Sequence, residues 1–193
     1  MTSGNCFPPH PPLSRQGRGR YFCSEGRGGR MTKFLVDCML GKLVKKLRMV
    51  GCDTVYYRGK DLHELIQLAR QQERVILTRN TRLTSKMTET FVIRITEDNP
   101  ALQLEQLLHQ GIIALNEERL FSRCLLCNSR LDEVTREEAE GKVPDYIYQH
   151  HKEFYRCPQC HRLYWPGTHQ ERMKKRLEEY KTKTLLFLAV QAI

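Results

Sequence analysis

Four cysteines in the last third of the chain form two hooks, Cys124-Leu-Leu-Cys127 and Cys157-Pro-Gln-Cys160, 29 residues apart. Two Cys-x2-Cys hooks supply four thiolates, the tetrahedral sulfur set that structural zinc favours and that iron also accepts. Such a site is closed. It lends folding energy to a small module but leaves no open position for a substrate or an activated water. His161 and His169 lie near the second hook, yet four sulfurs already complete the ligand set, so both read as supporting or surface groups. Chemistry must therefore come from oxygen donors. Asp37, Asp61, Glu64, Asn80, Glu97 and Asp98 all stand shortly after apolar runs, and oxygen ligands are what Mg2+ and Mn2+ prefer.

Those oxygens matter only if the chain gathers them. Phe34-Leu-Val36 is a short apolar run that predicts a buried strand ending at Asp37. A helix follows, with Met39, Leu40, Leu43, Val44, Leu47 and Val50 on one stripe, Lys42, Lys45, Lys46 and Arg48 mostly off it, and Gly51 at its end. Thr54–Tyr57 predicts a second strand, and Asp61 and Glu64 open a helix whose apolar face is Leu62, Leu65, Ile66, Leu68 and Ala69. Val75–Thr78 and Phe91–Ile95 predict two more strands, and Asn99-Pro100 starts a helix carrying Leu102, Leu104, Leu107 and Leu108. Strands alternating with helices imply an α/β fold with a parallel sheet and helices on its faces. Right-handed crossovers bring the strand carboxyl ends to one edge, where ligands collect. Asp37 follows the first strand there, Asn80 the third, Glu97 and Asp98 the fourth, while Asp61 and Glu64 head the helix after the second. Together they would make an acidic cup for a divalent cation. Each also has a plainer role open to it: Asp37 as a helix cap, Asp61 with Glu64 as a capping pair, Asp98 and Asn99 as the turn before Pro100.

Beyond about Phe121 the pattern changes to hooks, short strands and turns. Thr135-x-x-Glu138 and Thr168-x-x-Glu171 have capping-box spacing, and the second opens a helix carrying Arg172, Lys174, Lys175 and Arg176. Tyr155, Tyr164 and Trp165 either stack with bases beside that basic helix or pack around the metal; the sequence leaves both open.

Lysine and arginine number 32 against 22 acidic residues, a formal charge of +10, which makes a polyanion the natural partner. Residues 1–30 hold half the prolines and half the glycines, with arginines at 15, 18, 20, 27 and 30, and read as a disordered leader. Met31 stands directly before the first strand, so the chain is expected to fold from there. Residues 31–118 form the α/β domain, 119–184 the hook module with its helix, and 185–193 an apolar tail about half the length needed to span a bilayer. No secretory signal pattern opens the chain, which places its cysteines in a reducing, intracellular compartment, cytoplasmic or nuclear. Cys38 and Cys52 read as small buried hydrophobes, and Cys6 and Cys23 lie in the leader.

The run Phe34-Leu-Val-Asp37-Cys-Met-Leu-Gly-Lys-Leu-Val-Lys-Lys-Leu-Arg48-Met-Val-Gly51-Cys-Asp53-Thr resembles the PIN-like ribonuclease domain at the C-terminus of Mut-seven-type exonucleases. Val75-Ile-Leu-Thr-Arg-Asn80 is similar to that family's third-strand motif, and the hooks followed by Tyr164-Trp-Pro-Gly-Thr-His169 are similar to its appended zinc ribbon. The resemblance covers about residues 32–180. It implies clustered carboxylates that bind Mg2+ or Mn2+ and cut RNA, with Asp37 as the principal ligand and Asp61, Glu64 and Asn80 completing the site. Asp53 matches the family's turn aspartate, in a structural place. Cys124, Cys127, Cys157 and Cys160 would hold structural zinc, and the ribbon would help bind nucleic acid. One departure is Asn80, where the family typically carries Asp: an amide oxygen ligates a cation but adds no negative charge. The resemblance thus implies either a ribonuclease or a nucleic-acid-binding module that keeps the fold and has lost hydrolysis.

Overall fold

Two faces of one sheet alternate along β1 (Lys33–Val36): Phe34 and Val36 point to one side and Leu35 to the other, and all three are fully buried. A strand buried on both faces belongs in the middle of a parallel sheet, and β1 lies there. The computed structural model describes residues 32–86 and 92–190; the 1–30 leader, Phe91 and the last three residues of the apolar tail lie outside them. After β1 come a 3-10 turn (Cys38–Leu40), α1 (Gly41–Met49), β2 (Thr54–Tyr56), α2 (Leu62–Gln71), β3 (Arg74–Thr78), α3 (Thr81–Lys86), β4 (Val92–Arg94) and α4 (Pro100–His109). The four strands pair in parallel in the order β2-β1-β3-β4, so the fold is α/β with helices on both faces of the sheet.

On one face Phe34, Val36, Val75 and Leu77 meet Leu43, Val44 and Leu47 of α1 and Leu104 and Leu107 of α4. On the other, Leu35 and Ile76 meet Leu65 and Ala69 of α2 and Leu83 of α3. Three residues expected inside are outside: Leu102 on α4 is 45% exposed, Cys38 is exposed and Met39 is 61% exposed, the last two for one local reason. The cause is the 3-10 turn, whose three residues per turn point only Leu40 inward before α1 begins. Cys52 is buried as expected. Helix α3 has no counterpart in the sequence reading; its Thr-Arg-Leu-Thr-Ser-Lys run carries one apolar residue, Leu83, which is buried, too little for an apolar period.

Gly51 turns the chain out of α1 at φ +82°, the left-handed region that glycine adopts without strain. It also leaves room for the returning chain: a Cβ there would stand 2.5 Å from the Arg119 carbonyl oxygen, while Phe121 N–H donates to the Met49 carbonyl at 2.7 Å.

A 3-10 turn (Glu117–Arg119) leads into the cysteine module, in which β5 (Asp132–Val134), β6 (Phe154–Arg156) and β7 (Leu163–Tyr164) form an antiparallel sheet in that order. Two short helices, α5 (Arg136–Ala139) and α6 (Asp145–His150), lie between β5 and β6. Thr135 and Glu138 form the capping box their spacing predicts. The small core is Val134, Ala139, Val143 and Phe154, with Trp165 packed against it. The last helix, α7 (Thr168–Val190), returns to the parallel sheet, where Met173 and Leu177 enter the α1–α4 core; the Thr168 side chain expected to cap it lies outside the described set. Among the described residues no helix is long and apolar enough to cross a membrane.

Candidate active edge and metal centre

Strand register decides which side chains meet at the carboxyl edge. Val36 is level with Tyr56 on β2 and with Leu77 on β3, so Asp37, Tyr57 and Thr78 come next, side by side, on the face that carries Leu35 and Ile76. Asp37 is only 5% exposed. Its Oδ1 accepts Met39 N–H at 2.7 Å, capping the 3-10 turn, and its Oδ2 accepts the Thr78 hydroxyl. That hydroxyl in turn accepts Asn80 N–H at 2.9 Å. Asp37 and Asn80 are therefore joined through Thr78. The Asn80 carboxamide oxygen accepts Arg82 N–H at 3.0 Å and so caps α3.

Asp61 and Glu64 sit at the head of α2 as predicted, both exposed. Asp61 caps the helix by accepting His63 N–H at 2.8 Å. Glu64 is held by Tyr57, whose hydroxyl donates to Oε2 at 2.5 Å with the Asp61 carbonyl 2.9 Å away. This bond to Glu64, with help from burial, raises the Tyr57 phenol to about 12, so Tyr57 is a fixed donor at neutral pH. The fourth-strand acids are used otherwise. Asp98 pairs with Arg79, and the Glu97 and Asp98 carbonyls accept from the buried Gln103 amide. Thus the structure gathers Asp37 with Asn80, and Asp61 with Glu64, as two linked pairs. Among the described residues, the carboxylates do not close into a three-ligand cluster with donor atoms all within 4.8 Å. Thr78 and Tyr57 escaped the sequence reading. Their only signal is that each is a polar group ending a buried strand.

Asp53 lies at the opposite end of the sheet and is structural. Oδ1 accepts from Arg74 at 2.7 Å and from the Asn128 amide at 2.9 Å, and Arg123 stands 3.9 Å from Oδ2. Burial works against its charge, but these donors outweigh it and hold the carboxyl below the usual carboxylate range.

The four hook cysteines do form a cluster: their sulfurs all lie within 4.8 Å of one another. Cys124 and Cys160 sulfurs are 3.7 Å apart, against about 3.8 Å for neighbours on a tetrahedral ion with Zn–S bonds of about 2.3 Å. Both hooks fold alike. Cys127 N–H points at Cys124 Sγ (3.3 Å) and Cys160 N–H at Cys157 Sγ (3.4 Å). Asn128 and His161 then turn the chain at φ 68° and 58°, and their N–H groups return to the Cys124 and Cys157 carbonyls. Tyr164 accepts Leu125 N–H at 3.3 Å, which aims its own proton at Cys124 Sγ, 3.1 Å away. Burial opposes ionisation of Cys124, but Tyr164 and the backbone N–H groups bring it to about 6. Cys127, hydrogen-bonded to Cys160, desolvated and facing the Cys124 thiolate, is pushed up to about 12. Four sulfurs this close need a cation to ionise together, and the set could hold a metal such as zinc. Among the described residues no histidine joins it.

Arg48, buried on α1, ties the two parts together. It donates to the Thr54 carbonyl at 3.0 and 2.9 Å and to the first hook's Leu125 and Leu126 carbonyls at 2.9 and 2.7 Å. A groove of about 530 Å3 opens beside this junction, walled by Phe121, Tyr155, Tyr164 and Trp165, with Lys174 of α7 on its lining.

Compared with known families, the sequence matches the model described as Mut7-C RNAse domain over residues 32–177. The chain belongs to the Mut7-C RNAse domain family. The match takes in the parallel sheet, both hooks and the first part of α7, so the Mut7-C unit here includes the cysteine module as well as the α/β layer. No curated protein and no solved structure matched the chain. A Mut7-C domain is nuclease-like, and its substrate class is nucleic acid.

Proposed function

We propose that this Mut7-C domain is a metal-dependent ribonuclease that hydrolyses RNA phosphodiester bonds at the carboxyl edge of its parallel sheet. The observation that carries the reading is the Asp37–Thr78–Asn80 linkage across the two central strands. The donor set fits a hard cation: Asp37 accepts one hydrogen bond on each carboxylate oxygen and Asn80 one on its amide oxygen, and every such oxygen keeps a second lone pair. Asp37 and Asn80 would hold Mg2+ or Mn2+, with Asp61 and Glu64 adding negative charge from the head of α2. When bound, the ion would activate a water and neutralise charge developing on the phosphate. The chain's own part is orientation. Met39 N–H and Thr78 fix the Asp37 carboxylate, and Tyr57 fixes Glu64. Cys124, Cys127, Cys157 and Cys160 hold structural zinc, and the module aids nucleic-acid binding through the aromatic groove. The six described cysteines form no disulfide with one another, which suits a reducing compartment, cytoplasm or nucleus.

One observation favours a second reading, a nucleic-acid-binding module without hydrolysis. Asn80 brings no charge and already caps α3. Incubating the zinc-loaded chain with single-stranded RNA and Mn2+ separates the two. The ribonuclease reading expects cleavage that Asp37→Ala lowers at least about 100-fold. Cleavage that survives in Asp37→Ala sinks the site assignment, and no cleavage by the native chain favours the binding module.

A further inference from the structure

Two basic stripes of identical spacing have no part in the site just described. Lys42, Lys45 and Lys46 stand at positions i, i+3 and i+4 of α1, and Arg172, Lys175 and Arg176 repeat that spacing on α7. Helix geometry puts each trio on one face. Five of the six are exposed and Lys46 is half-buried. Both helices are anchored in the same core, α1 by Leu43, Val44 and Leu47 and α7 by Met173 and Leu177, so the stripes are held in fixed relation. They approach each other at Lys46 and Arg176: burial and the nearby Arg176 charge together hold the Lys46 ammonium below its usual range.

None of the six makes an ion pair among the described residues. Elsewhere the chain does pair its cations, as in Arg74 with Asp53, Arg79 with Asp98 and Arg156 with Glu138. Adjacent unneutralised cations repel one another, and a polyanion relieves that repulsion while releasing its own counterions. Position supplies the rest. Helix α1 starts just past the Asp37 turn and runs away from the carboxyl edge, and α7 starts at the groove that Trp165 and Tyr155 wall and Lys174 lines. A membrane face would need apolar residues beside the charges, but the apolar sides of both helices are spent in the core.

We propose that α1 and α7 form a track for the sugar-phosphate backbone of single-stranded RNA, with Lys42, Lys45, Lys46, Arg172, Lys175 and Arg176 contacting successive phosphates between the aromatic groove and the Asp37 edge. The choice of RNA rests on the ribonuclease reading. The measurement does not, because binding is read without cleavage. Affinity of the full zinc-loaded chain for a labelled oligouridylate is measured against salt with no Mg2+ or Mn2+ added, the strand being checked intact afterwards. Each neutralised phosphate on a single strand adds about 0.7 to the log-log salt slope. Lys42→Gln/Lys45→Gln/Lys46→Gln is therefore expected to lower the slope by about 2 and the affinity at least about tenfold, and Arg172→Gln/Lys175→Gln/Arg176→Gln to do the same. The triple Lys→Arg variant of α1 keeps both values and shows that the fold is intact. A charge-matched variant, Lys33→Gln/Lys142→Gln/Lys152→Gln, leaves the slope in place. The track is overturned if the stripe variants keep the native slope, if the control loses as much, or if the stripes serve anionic vesicles or polyglutamate while RNA affinity ignores them. A chain that binds through the stripes but never cleaves sinks the ribonuclease reading alone; one that cleaves with stripe variants at native slope sinks the track alone.

Discussion

Each carboxylate oxygen of Asp37 offers two lone pairs and meets one donor, Met39 N–H on Oδ1 and the Thr78 hydroxyl on Oδ2. The residue therefore caps the 3-10 turn and still has directions left for a cation, so the two roles the sequence leaves open are compatible. Its position after an apolar run was legible. Its fixation by Thr78 was not, because that contact depends on how strands 41 residues apart align, which no local pattern encodes. Asn80 is the weak member. Asn80→Asp preserves the cap on α3, since both side chains cap well, and adds a charge beside the cation. It is expected to lower the Mn2+ concentration for half-maximal cleavage at least about tenfold, read by titrating Mn2+ in single-turnover assays; an unchanged requirement would remove Asn80 from the site. Asp53 gives a pH prediction. Its folded pKa lies below the unfolded value, so its stabilisation is present above about pH 4 and fades as pH falls through the folded pKa. Asp53→Asn should cost about 1–3 kcal/mol in denaturant unfolding at pH 7, and the gap from the native chain should narrow toward pH 3. A gap that does not change with pH would mean that Arg74 and Arg123 gain nothing from its charge.

At the scale of elements, short apolar and β-branched runs located all four strands of the parallel sheet, most sharply the central β1 and β3, because strands buried on two faces are almost continuously hydrophobic. The misplaced pieces have simple causes. Helix α3 has one apolar residue, too few to carry a period, and the 3-10 turn throws Cys38 and Met39 outward. The direction α7 takes was equally hidden: its charge pattern shows a basic helix, and it is the packing of Met173, Leu177 and Tyr180 that shows it closing the core beside α4. The cysteine module has a small core of its own, Val134, Ala139, Val143 and Phe154, so a metal held by its four sulfurs would supply much of its folding energy. Stripping the metal with a strong chelator should shift emission from Trp165, the chain's one tryptophan, to longer wavelength as it leaves that core. The far-ultraviolet helical signal should largely persist, because α1, α2 and α4 pack on the parallel sheet. Unchanged Trp165 emission after full metal removal would show that the module folds without it.

Across the whole molecule the sequence announces the cysteine cluster, which could hold a metal such as zinc, more loudly than the oxygen edge proposed for a catalytic cation. Two Cys-x2-Cys hooks are a local signal with little room for other readings, and their four sulfurs converge as expected. The oxygen edge is assembled by topology. Parallel strands in the order β2-β1-β3-β4 put Tyr57, Asp37 and Thr78 in adjacent positions, and Arg48 locks the sheet to the first hook through four hydrogen bonds to backbone carbonyls. The proposed ribonuclease activity requires that this edge hold the catalytic cation. A crystal structure of the zinc-loaded chain soaked in Mn2+, with anomalous scattering recorded to separate manganese from zinc, tests it most directly. Manganese is expected on Asp37 and on the Asn80 side-chain oxygen, with zinc among the four cysteines. Saturating Mn2+ that leaves Asp37 bonded only to Met39 N–H and Thr78 would contradict it.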